Sequence, residues 1–173
     1  MGLLGVYIAQ NIAKRYRDQV KKIVLMNTFY SLTKLPEMVF ELVGDFHRMN
    51  LPLVYRVRSV LPWVYSEKFL SQPNQIENLI NFAEQNPHPQ SLVGYERQLE
   101  ALKLFESRSW LHEIKLPTLI IAGEEDIIAP VAGAKEVQNR IGNHAQMTVI
   151  PGGHASPIEQ PLEVVNAILG FID

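Results

Sequence analysis

Apolar positions along this chain change rhythm twice and divide it into three stretches. In the first, residues 1–29, Leu4, Ile8, Ile12 and Tyr16 recur at the spacing of one helix face, with Ala9 and Ala13 beside them. Lys14, Arg15 and Arg17 crowd the end of that pattern, where cations suit the negative pole of a helix. Ile23, Val24, Leu25 and Met26 then form a short apolar run without alternation, which predicts a strand buried on both faces of a parallel sheet.

Residues 30–110 carry a different pattern. Leu92, Tyr95, Leu99 and Leu102 mark one helical stripe, and Ile76, Leu79, Ile80 and Ala83 mark another. Pro36, Pro52, Pro62, Pro73, Pro87 and Pro89 punctuate the stretch into short helices. No segment here reads as a strand with flanking turns, so the stretch is expected to be a helical insertion between strands. Residues 111–173 alternate again. A β-rich run over 118–122 follows Pro117, a helix is expected over 131–141, a second strand over 147–150 and an amphipathic helix over 162–172. Strand, helix, strand, helix implies parallel pairing with right-handed crossovers, and hence an α/β fold.

Composition acts mainly by exclusion. The 173 residues, 47% hydrophobic and 20% charged, suit one soluble globular domain that needs no disulfide or metal to hold its core. A formal net charge of -2 leaves no basic face for nucleic acid or an anionic membrane, and neither is expected as a partner. The chain has no cysteine, which excludes disulfides, thiolate chemistry and cysteine-ligated zinc. The apolar stretch 3–13 is interrupted by Gln10 and Asn11 and has no basic segment before it, unlike a leader peptide. No run reaches the roughly 18 apolar residues of a membrane helix, and a cytoplasmic location is the default expectation.

Two loops carry the candidate chemistry. Gly123-Glu124-Glu125-Asp126-Ile127-Ile128-Ala129-Pro130 follows one expected strand, and Pro151-Gly152-Gly153-His154-Ala155-Ser156-Pro157 follows the next. Ligands in open α/β sheets gather at the carboxyl ends of strands, so neighbouring strands would bring Asp126 and His154 together. A carboxylate beside an imidazole fixes the ring tautomer and stabilises the imidazolium formed when the histidine takes a proton. Gly152 and Gly153 admit backbone angles that let the loop turn a side chain inward. Spacing alone leaves Asp126 equally open to being a turn aspartate or an N-terminal helix charge ahead of Val131, and His154 to being a capping or surface histidine. His47, His88, His112 and His144 lie in polar or proline-rich surroundings and are expected to be solvated. Nothing in these loops calls for a metal or an organic cofactor.

Taken together, Gly-Glu-Glu-Asp-x-x-x-Pro at 123–130 and Gly-Gly-His-x-x-x-x-Glu-Gln-Pro at 152–161 resemble the acid and histidine loops of the α/β-hydrolase family. The run Pro117-Thr118-Leu119-Ile120-Ile121-Ala122-Gly123 resembles the strand that precedes the acid in that family. Met1-Gly2 resembles the last two positions of the Gly-x-Ser-x-Gly nucleophile elbow, and the helix expected after it fits the same pattern. The resemblance implies the C-terminal part of an α/β-hydrolase fold, with a mainly parallel sheet and a helical cap insertion. Core residues 1–29 and 111–173 would flank a cap at 30–110. It makes Asp126 and His154 the catalytic acid and base, and the backbone nitrogen of Met1 an oxyanion donor. It also puts the nucleophile at the position directly before Met1, outside the chain. Ser31, Ser59, Ser66, Ser71, Ser91, Ser107, Ser109 and Ser156 lie outside any elbow.

The activity so implied is two-step hydrolysis of an ester-type or related acyl bond in a small-molecule substrate, by a serine esterase- or lactonase-like enzyme. Phe40, Phe46, Tyr55, Trp63 and Tyr65 would give the cap either an apolar acyl pocket or its own core. Haloalkane dehalogenases and epoxide hydrolases share the arrangement with an aspartate at the elbow, although Met1-Gly2 leans towards Ser-Met-Gly. A non-catalytic fragment or binding module is the reading from another class. The chain alone is expected to be inactive and only marginally stable, because a helix face and a strand edge would be left bare.

Overall fold

The computed structural model describes residues 4–172, and its elements follow the rhythm of the apolar positions. Helix α1 (Leu4–Arg15) leads into strand β1 (Ile23–Met26). Five helices come next: α2 (Lys34–Arg48), α3 (Leu53–Val64), α4 (Glu67–Leu70), α5 (Gln75–Glu84) and α6 (Leu92–Lys103). Strand β2 (Thr118–Gly123), helix α7 (Val131–Ile141), strand β3 (Ala145–Ile150) and helices α8 (Ser156–Glu159) and α9 (Pro161–Ile172) follow. Among the described residues the sheet has the order β1-β2-β3, with both pairings parallel.

Strand β2 is buried at every position, and its pairing register runs from Thr118 opposite Ile23 and Ala145 to Gly123 opposite Ile150. Its continuous apolar run is explained by helices on both faces. Ile120 and Ala122 pack with Leu25, Ala134, Val137 and Ile141 on one side, while Leu119 and Ile121 pack with Ile150 and Val164 on the other. The strand expected to be buried on both faces, β1, departs from that expectation. Ile23 and Leu25 are buried, but Val24 is half-buried and Met26 exposed. It lies at one edge of the described sheet, where its outward positions have less cover.

Helix α1 also presents a different face from the one its largest apolar residues suggest. Its buried positions are Val6, Gln10 and Ala13, whereas Ile8 and Tyr16 are 50% and 52% exposed. The polar Gln10 is the inward anchor. Its Nε2 donates to Thr28 Oγ1 at 3.0 Å and to the Phe29 carbonyl at 2.9 Å, holding the helix to the segment after β1. A periodicity search that counts only apolar residues passes over such a position.

The helical segment leaves and rejoins the sheet at one place. Ser31 and Glu106 form an isolated antiparallel bridge, and Ser107 N donates to the Tyr30 carbonyl at 2.8 Å. The stripes expected on α5 and α6 face inward at Ile80, Tyr95 and Leu102. Phe29, Phe40, Leu102 and Phe105 then pack with Ile128 and Ala129, so the segment rests directly on the loop that carries Asp126. Among the described residues no helix is long and apolar enough to cross a membrane.

The contact between α2 and α6 has a pH signature. Tyr95 Oη donates to the Phe40 carbonyl at 2.7 Å, and burial pushes the phenol up from 10.0 to about 12. The unfolded chain releases this proton first, so the phenol's contribution is fully present below the ordinary tyrosine value and lost as pH rises through the folded one. Absorbance titration is expected to show one tyrosine ionising near pH 12. That phase should vanish in Tyr95→Phe, at a cost of about 1 kcal/mol in denaturant unfolding.

Candidate active site

Asp126 and His154 are brought together by the register of β2 and β3, whose last paired residues are Gly123 and Ile150. Both loops therefore leave the sheet on the same edge, and backbone bonds stitch them to each other. Glu124 N donates to the Ile150 carbonyl at 2.8 Å and Glu125 N to the Gly152 carbonyl at 3.0 Å. His154 Nδ1 lies 2.8 Å from Asp126 Oδ2. With Nδ1 engaged by the carboxylate, Nε2 is the ring nitrogen left for proton transfer.

Asp126 fills both roles that its position in the sequence leaves open. Its Oδ1 accepts from the amides of Ile128 and Ala129, each at 2.8 Å, as a turn aspartate does, while Oδ2 faces the imidazole. Its side chain is fully buried, whereas that of His154 keeps 15% of its surface accessible. A buried carboxylate with both oxygens engaged is held in one orientation, and the ring it holds can still meet a ligand.

Asn27, which the sequence reading passed over, completes the frame together with Glu159 of the Glu-Gln-Pro tail and Ser66. Asn27, in a left-handed conformation with φ 50 just after β1, ties the ends of all three strands together. Its Oδ1 accepts from Gly123 N at 3.1 Å, its Nδ2 donates to the His154 carbonyl at 2.5 Å, and its backbone N donates to the Ile121 carbonyl at 2.8 Å. An asparagine immediately past a strand on the loop-bearing edge was the available signal. Glu159 accepts from Gly153 N at 2.8 Å and from Ser66 N at 3.2 Å, and it also accepts from Ser66 Oγ. Together with the bond from Ala155 N to the Val64 carbonyl at 2.8 Å, this fastens the histidine loop to the junction of α3 and α4.

His154 opens into a cavity of about 850 Å³ between the sheet edge and the helical segment. Phe40 and Tyr65 line it, but Phe46, Tyr55 and Trp63 do not. Tyr55 is exposed and Trp63 packs against the core beneath α2. His88, His112 and His144 are exposed as expected. His47 is a correction. It is half-buried, lies edge-on to Tyr95 at a centroid distance of 6.2 Å, and lines the cavity. Burial, followed by the positive charge of Arg56, holds its pKa below the ordinary value, with Glu96 opposing. Among the described residues no three of His, Cys, Asp or Glu gather as a metal site. Met1 and its neighbour Gly2 lie outside the described residues.

Gly123 marks the tightest point of this frame, because a Cβ there would collide with the Gly153 carbonyl and come within 2.7 Å of the Gly152 carbonyl. Gly123→Ala is expected to cost about 1–3 kcal/mol in urea denaturation by forcing the loops apart. The control is Gly133→Ala in α7, where a Cβ meets nothing within 4 Å. That substitution should instead stabilise by about 0.5–1 kcal/mol.

Compared with known proteins, residues 4–161 match the family described as alpha/beta hydrolase fold. A poly(3-hydroxyalkanoate) depolymerase of Ectopseudomonas oleovorans is 29% identical over 97% of this chain and 58% of its own length. A pyrrolizixenacetamide deacetylase of Xenorhabdus hominickii is 30% identical over 98% of this chain and 62% of its own. The chain thus spans about three fifths of the length of these relatives. The crystal structure of MGS-M2, an alpha/beta hydrolase enzyme from a Medee basin deep-sea metagenome library, superposes with a TM-score of 0.84. It is 25% identical, with 97% of this chain and 62% of that one covered. The match over 4–161, together with sheet pairing and loops that follow the same plan, shows that this chain belongs to the alpha/beta hydrolase fold family.

Proposed function

We propose that Asp126 and His154 are the acid and base of a hydrolase that cleaves ester-type acyl bonds, and that residues 30–110 cap its substrate pocket. The observation that carries this reading is the 2.8 Å contact between His154 Nδ1 and a fully buried Asp126 carboxylate, at the mouth of a largely apolar cavity. Support comes also from the relatives, which include a depolymerase and a deacetylase by name.

In this mechanism a nucleophile hydroxyl attacks the acyl carbonyl and gives its proton to Nε2 of His154. The imidazolium, balanced by Asp126, returns the proton to the leaving alcohol, and an acyl-enzyme remains. Water then attacks the acyl-enzyme. His154 takes its proton and hands it back to the departing nucleophile oxygen. The resemblance assigns the nucleophile to the position directly before Met1, and the Met1 amide to the oxyanion site. Among the described residues no hydroxyl is hydrogen-bonded to Nε2 of His154. Ser156, the nearest serine in sequence, instead accepts from Asn27 Nδ2 at 3.1 Å. Turnover therefore requires a nucleophile hydroxyl that the described residues do not place at His154 Nε2.

Hydrolysis of p-nitrophenyl butyrate tests the reading, measured on this chain alone and on the chain joined to the residues encoded directly upstream of it. Turnover is expected only with the upstream residues. It should fall on the order of 10³–10⁴-fold in both Asp126→Asn and His154→Ala. Full activity in His154→Ala would sink the assignment.

A further inference from the structure

Away from His154 the cavity is lined by polar residues that the hydrolytic step does not use, His47, Arg56 and Gln90 among them. Helix α3 forms one wall through Arg56, Val57, Val60, Leu61 and Val64. Val64 stands at the catalytic end, where its carbonyl accepts from Ala155 N, next to His154. At the rise of an α-helix, Arg56 lies about 12 Å from Val64 along the axis. Its guanidinium points further away, because helical side chains lean towards the N-terminus and Nε donates to the Leu51 carbonyl at 3.1 Å.

That bond orients the guanidinium and leaves both terminal nitrogens available. Among the described residues no carboxylate lies within ion-pair distance of Arg56, and no aspartate or glutamate lines the cavity. Gln90, in the loop before α6, also lines the cavity, and its Nε2 is buried with no hydrogen-bond partner. His47 lines the same cavity, close enough to feel the Arg56 charge. A permanent cation that lines an apolar cavity with no carboxylate opposite it is matched by a ligand anion, which a guanidinium can hold through two parallel hydrogen bonds.

Resting on the hydrolase reading above, we propose that this pocket selects esters whose acyl chain ends in a carboxylate, held by Arg56 while the ester carbonyl lies at His154. The substrate class is the half-ester of a linear dicarboxylic acid, with the apolar walls of α3 and α5 covering its methylenes. The product is the free diacid, so a carboxylate is needed at the far end of the acid but not on the alcohol.

Calorimetric binding of monomethyl suberate against methyl octanoate tests this without requiring turnover. The half-ester should bind at least about tenfold more tightly, and the preference should shrink with added salt. Monomethyl succinate, too short to span the two ends, should show no such advantage over methyl butyrate. Arg56→Met should abolish the preference and Arg56→Lys retain part of it, with thermal melts checking that each variant folds. Equal binding of the charged and neutral esters, binding of neither, or a preference that survives in folded Arg56→Met would overturn the proposal. His154→Ala should keep the preference, so a failed hydrolase assignment leaves a different mark: no turnover with upstream residues present, but intact half-ester selection.

Discussion

Asp126 and His154 meet only because two polypeptide backbones pass each other with no side chain between them. Gly123 ends β2 against the carbonyls of Gly152 and Gly153, closer than any Cβ allows. Gly153 in turn lies against Val64 and Tyr65, where an added Cβ would stand 2.8 Å from the Val64 carbonyl. Three layers of main chain are stacked at this point: the acid loop, the histidine loop and the end of α3. Each relies on its neighbour for hydrogen bonds that regular sheet no longer supplies. A side chain in the middle of that stack would separate all three.

The same stack explains how the helical segment is coupled to Asp126 and His154. Glu159 bridges Gly153 and Ser66, so one carboxylate holds both the turn before His154 and the N-cap of α4. Ala155 reaches the last residue of α3 from the other side of the histidine. His154 therefore sits between two anchors on the segment that roofs its cavity. The histidine loop and that roof are joined by hydrogen bonds, one set through the Glu159 carboxylate and one between main chains.

Much of the fold was legible in the sequence because burial and periodicity agree there. Strands β2 and β3 and helices α7 and α9 stand within a few residues of where the apolar pattern puts them. The acid and histidine were legible because glycines and prolines frame both loops. What escaped was polar and buried. Gln10 faces inward on α1 and Asn27 joins three strand ends, yet a hydrophobicity pattern treats both as surface. His47 and Arg56 escaped for a related reason: nothing in their local sequence marks them, and only folding brings them to an apolar cavity. A buried polar residue is specified by its partners, which lie far away in the chain.

Asp126 shows how one side chain can close its own turn and align an imidazole. One oxygen closes the turn onto Ile128 and Ala129, residues that also pack under the helical segment with Phe40 and Phe105. The other oxygen aligns His154. A glutamate would carry the same charge one methylene further out and could not serve both amides and the ring from the same backbone. An asparagine could keep the turn but would lose the negative charge that an imidazolium requires. The short side chain is thus fixed by the turn, and the charge by the imidazole. Aspartate is the residue that meets both demands at this position.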